Sequence, residues 1–259
     1  KNKNNFANLN KYALQWFVLK DGRRVQSGIV SMPSIAAGGS GTVTVPYNIT
    51  TESGSEYILH VQLCLKEDEM WAYKGYPVAE GEFTLQTWPS TLPTVSASGS
   101  VTVGTSNVSG TTAKGKAWSI GISSGKITSW TVGGKSVIAA GPDFNSYRDI
   151  DNDRSISYSF TNSSSTSVTS SLKKSGNNAT MTVSGSATNC NYTAAYTFYP
   201  DGTVDMTVTF SPKGNLRRMG MGMSFASGFE QVEYYGRGPW SNYSDRKTGS
   251  WLGRYVTTV

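Results

Sequence analysis

Apolar and polar residues alternate one by one along much of this chain, and the alternation breaks and restarts at turn-forming residues. Over 57–65, Tyr57, Leu59, Val61, Leu63 and Leu65 share one face while His60, Gln62 and Cys64 share the other. That two-residue period predicts a β-strand with His60 turned to solvent. Tyr12, Leu14, Trp16 and Val18 alternate with Ala13, Gln15 and Phe17, which predicts a strand apolar on much of both faces. Asp21-Gly22 supplies a turn, and 25–32 the returning strand. With 42–46 and 82–86 these strands suit an immunoglobulin-like sandwich over residues 1–88.

Residues 89–99 carry Pro89, Pro93 and a run of Ser and Thr with little to pack, and they mark a linker. Beyond it the pattern predicts strands at 117–122, 126–132, 155–160, 168–172, 179–183, 219–226 and 232–235. Segments 192–199 and 203–210 form a hairpin about Pro200-Asp201-Gly202, with Val204, Met206, Val208 and Phe210 on one face. Helical periodicity never lasts beyond about a turn. The expectation is an all-β chain: a small sandwich, then a larger one over 100–259.

Composition agrees and narrows the chemistry. Of 259 residues 37% are hydrophobic and 15% charged, with 28 glycines, a balance suited to short strands and many turns. The formal charge of +6 is spread thinly, with Lys173-Lys174 and Arg217-Arg218 as isolated pairs. A nucleic-acid partner is therefore not expected. No apolar run approaches the length of a helical membrane span, and the N-terminal residues lack the apolar stretch of a signal peptide. Cys64 and Cys190 fall in different predicted domains and form neither a disulfide framework nor a metal knuckle. With His60 as the lone histidine, imidazole metal sites and a Ser-His-Asp triad are disfavoured. The Asn-x-Ser/Thr triplets at Asn48, Asn107, Asn162, Asn178, Asn191 and Asn242 are what chance gives in a chain this rich in Asn, Ser and Thr.

Three segments carry candidate chemistry. Lys66-Glu67-Asp68-Glu69, before Met70-Trp71-Ala72, reads as a solvated hairpin tip. Asp149, Asp151 and Asp153 copy the opening of a calcium loop, but Arg154 stands where its glycine belongs and Phe160 where its glutamate belongs. In 232–247 an aromatic strand runs into Gly236-Arg237-Gly238-Pro239. The glycines allow reversal or close approach, and the proline ends pairing. The expected product is a loop presenting Arg237, Trp240 and Tyr243, with Tyr235 and Trp251 completing a patch that could stack on a sugar. The alternative is a core corner with Arg237 over an aromatic face.

The run Val232-Glu233-Tyr234-Tyr235-Gly236-Arg237-Gly238-Pro239-Trp240-Ser241-Asn242-Tyr243-Ser244-Asp245-Arg246-Lys247 resembles the strand-turn signature in the C-terminal β-sandwich of glycoside hydrolase family 2 β-galactosidases. Trp71-Ala72-Tyr73-Lys74-Gly75-Tyr76-Pro77-Val78-Ala79 resembles the linker sandwich that follows their barrel. Phe144, Arg148 and Asp151-Asn152-Asp153 resemble a loop facing their active-site mouth. The resemblance implies a linker sandwich followed by part of a sandwich related to the galactose mutarotase fold, whose family members continue well past the position of Val259. Retention requires two carboxylates about 5–5.5 Å apart, and the resemblance places that pair on a barrel absent from this chain. It therefore implies an inactive accessory region with no catalytic residue and no metal or cofactor of its own. Any magnesium or sodium needed by the parent enzyme belongs to sites elsewhere. Tyr235, Arg237, Trp240, Trp251, Asp151 and Asp153 become rim or carbohydrate-binding candidates. The implied partners are the barrel and N-terminal domains, the galactoside indirectly, and possible further copies of the chain. Two other classes compete: a carbohydrate-binding module using Tyr235, Arg237, Trp240 and Trp251, and a cell-surface adhesion repeat, against which the lack of internal repetition argues. The compartment is left open.

Overall fold

Two alternating stretches joined by a short turn pair as strands, and this chain does so repeatedly. In the computed structural model, which describes residues 1–89, 95, 97–146, 167–216 and 218–258, contacts divide the chain into two units. One is Lys1–Pro93 with Glu230–Val259; the other is Thr94–Phe229. The architecture is all-β, and the described residues add a single 3₁₀ turn, η1, at Leu9–Lys11, capped by the Asn8 side chain.

In the first unit β1 (Tyr12–Lys20), β2 (Arg23–Ser31), β3 (Tyr57–Leu65) and β4 (Pro77–Gln86) form an antiparallel sheet in the order β2-β1-β3-β4. Asp21 and Gly22 connect β1 to β2 with φ of 48° and 76°, as a two-residue hairpin turn with both central residues left-handed demands. Trp16, Val18, Tyr57 and Leu59 bury one face of the sheet, with Val45 and Ile49 packed on them from the β2–β3 connection. That connection corrects one expectation. Residues 42–46 form no strand, so the cover over this face is irregular backbone where a further strand was expected. Pro33, Gly38-Gly39-Ser40-Gly41 and Pro46 explain it, since glycine weakens strands and proline cannot donate to a ladder.

The second unit holds β5 (Thr102–Val103), β6 (Asn107–Thr111), β7 (Ala117–Ser123), β8 (Lys126–Val132) and β9 (Lys135–Ser136), which pair in chain order as one sheet. β10 (Ile138–Asn145) pairs instead with β15 (Gly220–Phe225). β11 (Ser167–Ser175), β12 (Asn178–Ser186), β13 (Cys190–Phe198) and β14 (Val204–Pro212) form the opposing meander. Val108, Trp118, Ile120 and Ile127 from the first sheet share a core with Met181, Val183, Ala194, Tyr196 and Phe198 from the meander. Two inner faces closing on one apolar layer make a β-sandwich. Trp118 spans it: its buried indole N–H donates to the Pro200 carbonyl at 2.9 Å. Its ring fits because Gly110 lacks a Cβ, which would sit 2.8 Å from it. The hairpin expected about Pro200-Asp201-Gly202 is present, with Tyr192 opposite Phe210. Met206, placed by alternation on the inner face, is exposed. The strand expected at 155–160 lies outside the described residues.

β16 (Gln231–Gly238) and β17 (Trp251–Thr258) pair antiparallel, with Tyr235 opposite Arg254 and Gly238 opposite Trp251. Contacts group this hairpin with the first unit, whereas the sequence pattern placed it in one sandwich spanning 100–259. The reason lies in its side chains, described below.

Replacing Phe198, which is fully buried, by alanine leaves a ring-sized void in the sandwich. The loss expected in urea unfolding is about 3–5 kcal/mol, against well under half that for Met206→Ala at the exposed edge.

Candidate functional site

The residues singled out at 232–251 belong to a hairpin whose side chains bind the first unit's sheet. Arg237 lies on β16, where its guanidinium reaches the Glu82 carboxylate of β4 at 3.1 Å and donates to the Ser250 carbonyl at 2.8 Å. The other Glu82 oxygen accepts the Leu252 backbone N–H at 2.7 Å. One nearly buried carboxylate thus ties both strands of the hairpin to β4, and its ionised oxygens make these the stronger kind of hydrogen bond. Arg237 is in an ion pair, not over an aromatic face as the core-corner reading had it.

Tyr235 is held similarly. Its hydroxyl donates to the Glu56 carboxylate, and its ring lies 5.0 Å from that of Trp88. Burial, and then the bond to Glu56, push its hydroxyl pKa well above the ordinary value. The Asp21-Gly22 turn fits beneath: a Cβ on Gly22 would fall 2.6 Å from the Tyr235 ring. The Asp21 carbonyl accepts from Arg254 at 2.8 Å. Its carboxylate accepts from the Glu56 backbone N–H at 2.8 Å and the Trp88 indole at 2.7 Å. Burial pulls that carboxyl upward, but these donors outweigh it and hold its pKa below the usual value.

Trp251 covers His60, their rings 4.8 Å apart, and Phe17, opposite His60 on β1, packs against it edge-on at 4.6 Å. This corrects the solvent-facing reading of His60, which is buried, as is Cys64 beyond it on the same face. β3 is a central strand, and the hairpin covers the face that alternation assigned to water. His60 Nε2 lies 3.5 Å from Glu80, too far for a good hydrogen bond, and has no other hydrogen-bond partner among the described residues. Burial holds its pKa below the ordinary imidazole value, against the opposing pull of Glu80 and Glu82. Glu80 also accepts from Gln62 at 3.0 Å. Burial likewise raises the Cys64 thiol pKa, which makes an inert packed side chain of it.

The glycines of the signature have unequal reasons. A Cβ on Gly238 would lie 2.5 Å from the Tyr234 hydroxyl and 2.8 Å from the Tyr255 ring, whereas at Gly236 the nearest atom is 3.8 Å away. Gly238 is required by close approach, and Gly236 by nothing in its surroundings. Both remain within β16, so the backbone does not reverse where the sequence suggested it could.

Arg237 and Trp251 therefore meet, with Glu82, Lys247 and Thr248, around an open recess of about 230 Å³. Tyr235 is engaged with Glu56 and Trp88. Trp240 and Tyr243 stand on the β16–β17 connection, 69% and 59% exposed. Asp151 and Asp153, with Arg148 and Arg154, lie outside the described residues. Sequence reasoning missed Glu56, Glu80 and Glu82. One signal was available for the latter two, because acidic residues at alternate positions on β4 face Gln62 and His60 across the ladder.

Comparison with known proteins bears on the same two segments. The family described as "Beta galactosidase small chain" matches residues 112–259, and "Beta-galactosidase, domain 4" matches residues 1–86. The β-galactosidase of Priestia megaterium is 26% identical over all of this chain, which covers 26% of that protein. That of Streptococcus thermophilus is 28% identical, again over the whole chain and 26% of its own length. That of Photobacterium profundum is 31% identical over 59% of the chain and 15% of its own length. The chain thus spans about a quarter or less of the curated relatives it matches.

Two outcomes follow from these contacts. Glu82→Ala strands Arg237 and the Leu252 amide, and should cost about 2–4 kcal/mol in urea unfolding, while Glu233→Ala, which loses exposed pairs to Arg23 and Arg254, should cost under about 1 kcal/mol. Unfolding returns His60 to an ordinary value near 6.5. Below that pH the unfolded chain takes up a proton that the folded chain resists, so stability should fall as pH drops through it. Because the chain has one histidine, the imidazole C–H resonances in an NMR titration report this group alone, and His60→Phe should remove that part of the pH dependence.

Proposed function

Because this chain belongs to the family of the β-galactosidase small chain, we propose that it is a non-catalytic C-terminal accessory region of a β-galactosidase-like glycoside hydrolase. Its work is architectural: it buttresses the catalytic barrel and shapes the active-site rim of an enzyme that hydrolyses terminal β-galactosides with retention. The observation that carries this reading is the internal commitment of the signature residues. Arg237, Tyr235 and Trp251 are engaged by Glu82, Glu56 and His60 of the first unit, leaving them as fasteners of a hairpin rather than as groups free to act on a glycosidic bond.

The carboxylates point the same way. A retaining site needs one carboxyl held protonated and a second free to attack. Glu82 is engaged by an arginine and a backbone N–H, and Glu56 by a tyrosine hydroxyl. Glu80 accepts from Gln62. Relatives about four times the length of this chain have ample sequence in which to carry the acid/base and the nucleophile. The barrel and N-terminal domains of such an enzyme are then the partners this region serves.

The purified chain is expected to show no turnover of an aryl β-galactoside above the uncatalysed rate. Measurable turnover that disappears in Asp151→Asn or Asp153→Asn would overturn the accessory reading.

A further inference from the structure

The turn joining β3 to β4, residues 66–76, encloses a recess of about 540 Å³ lined in part by Glu69, Trp71, Tyr73, Lys74 and Tyr76. Its large side chains stand in water: Trp71 is 63% exposed, Tyr73 83%, Tyr76 52%, and Met70 fully. Such a concentration within one turn is unusual for a surface that touches nothing.

The turn is also rigidly built. Glu69 and Ala72 exchange backbone hydrogen bonds at 2.9 and 3.3 Å, and Gly75 and Tyr76 donate to Leu65 and Tyr73 at 2.9 and 3.1 Å. The Lys74 N–H is taken by the Asp68 carboxylate at 2.8 Å. Gly75 sits at φ +85°, which side chains rarely tolerate. Lys11 pairs with Glu69 at 2.6 Å, and Lys66 donates to the Asn10 carbonyl at 2.6 Å, fixing the turn to η1. The backbone that carries the aromatic rings is thus held before any ligand arrives, which lowers the ordering cost of binding.

Their arrangement selects a ligand. The Trp71 and Tyr76 rings meet at 82° with centroids 5.5 Å apart, forming two walls of a corner. Aromatic faces are electron-rich and attract the polarised C–H groups on the flat side of a pyranose, whose hydroxyls project from its edge. Glu69 can accept from such hydroxyls, since one carboxylate has about four lone-pair sites and Lys11 uses few of them, and Lys74 can donate. The volume falls within the range of small-molecule sites, about 300–1,000 Å³.

We propose that this turn is a binding subsite for a neutral oligosaccharide, with one sugar ring stacked in the Trp71–Tyr76 corner and Glu69 and Lys74 holding its hydroxyls. It is separate from the residues of the hairpin signature and stands whether or not the chain is catalytically silent. The test is a titration of the chain with galactotetraose and with cellotetraose, followed by ¹H–¹⁵N NMR. Saturable shifts are expected at the Trp71 indole and at the Lys74 and Gly75 amides with at least one of them. Trp71→Ala and Tyr76→Ala, both at exposed positions, should each weaken binding about tenfold with unchanged circular dichroism, while Trp240→Ala should leave it intact. The proposal is overturned by absence of saturable shifts at the turn with both sugars, or by binding that survives Trp71→Ala. It is equally overturned if sedimentation shows self-association that Trp71→Ala abolishes, which would make the turn a protein contact.

Discussion

The first unit depends on a strand that must be covered twice. β3 carries apolar side chains on one face and Ile58, His60 and Cys64, all buried, on the other. Its neighbours β1 and β4 satisfy its backbone, but neither shields its faces. One cover comes from the irregular segment that leads into β3. The other comes from residues at the far end of the chain, where Trp251 is laid over His60 and the hairpin is fastened at its edges. The apolar contact supplies area, and the charged contacts fix position.

Glu82 shows how that position is fixed. A carboxylate so nearly buried must keep its partners, because an unpaired charge there would cost several kcal/mol. It receives Arg237 and the Leu252 N–H from different strands of one hairpin, so a slip of either strand would leave it unsatisfied. Asp21 and Glu56 do the same work at the other edge, taking Trp88, Tyr235 and, through the Asp21 carbonyl, Arg254. Three acidic residues therefore set the register of the docked hairpin, and the aromatic signature around Arg237 is best understood as the matching half of that arrangement.

The second unit solves the same burial problem without a clasp. Two meanders face each other, each closed by short turns between sequence neighbours, and their inner side chains alternate with Ser and Thr on the outside. Its long-range hydrogen bond of note is the indole of Trp118 on the Pro200 carbonyl. That bond matters because an indole N–H buried in an apolar layer without an acceptor is costly.

What the sequence by itself determined is the local part. Alternation located β3 and β8 with their observed limits and the β13–β14 hairpin to within about two residues, and Asp21-Gly22 announced its turn. The signature at 232–247 pointed to the family that later matched. What only the tertiary structure decided is which face meets what. His60 reads as solvent-facing from its own strand, because the tryptophan that covers it stands at position 251. Arg237 reads from its own segment as a donor to a sugar or a cation over an aromatic face, because Glu82 is 155 residues away. Alternation is a property of consecutive residues and survives in the sequence, whereas satisfaction of a buried charge depends on which distant segment folds back upon it.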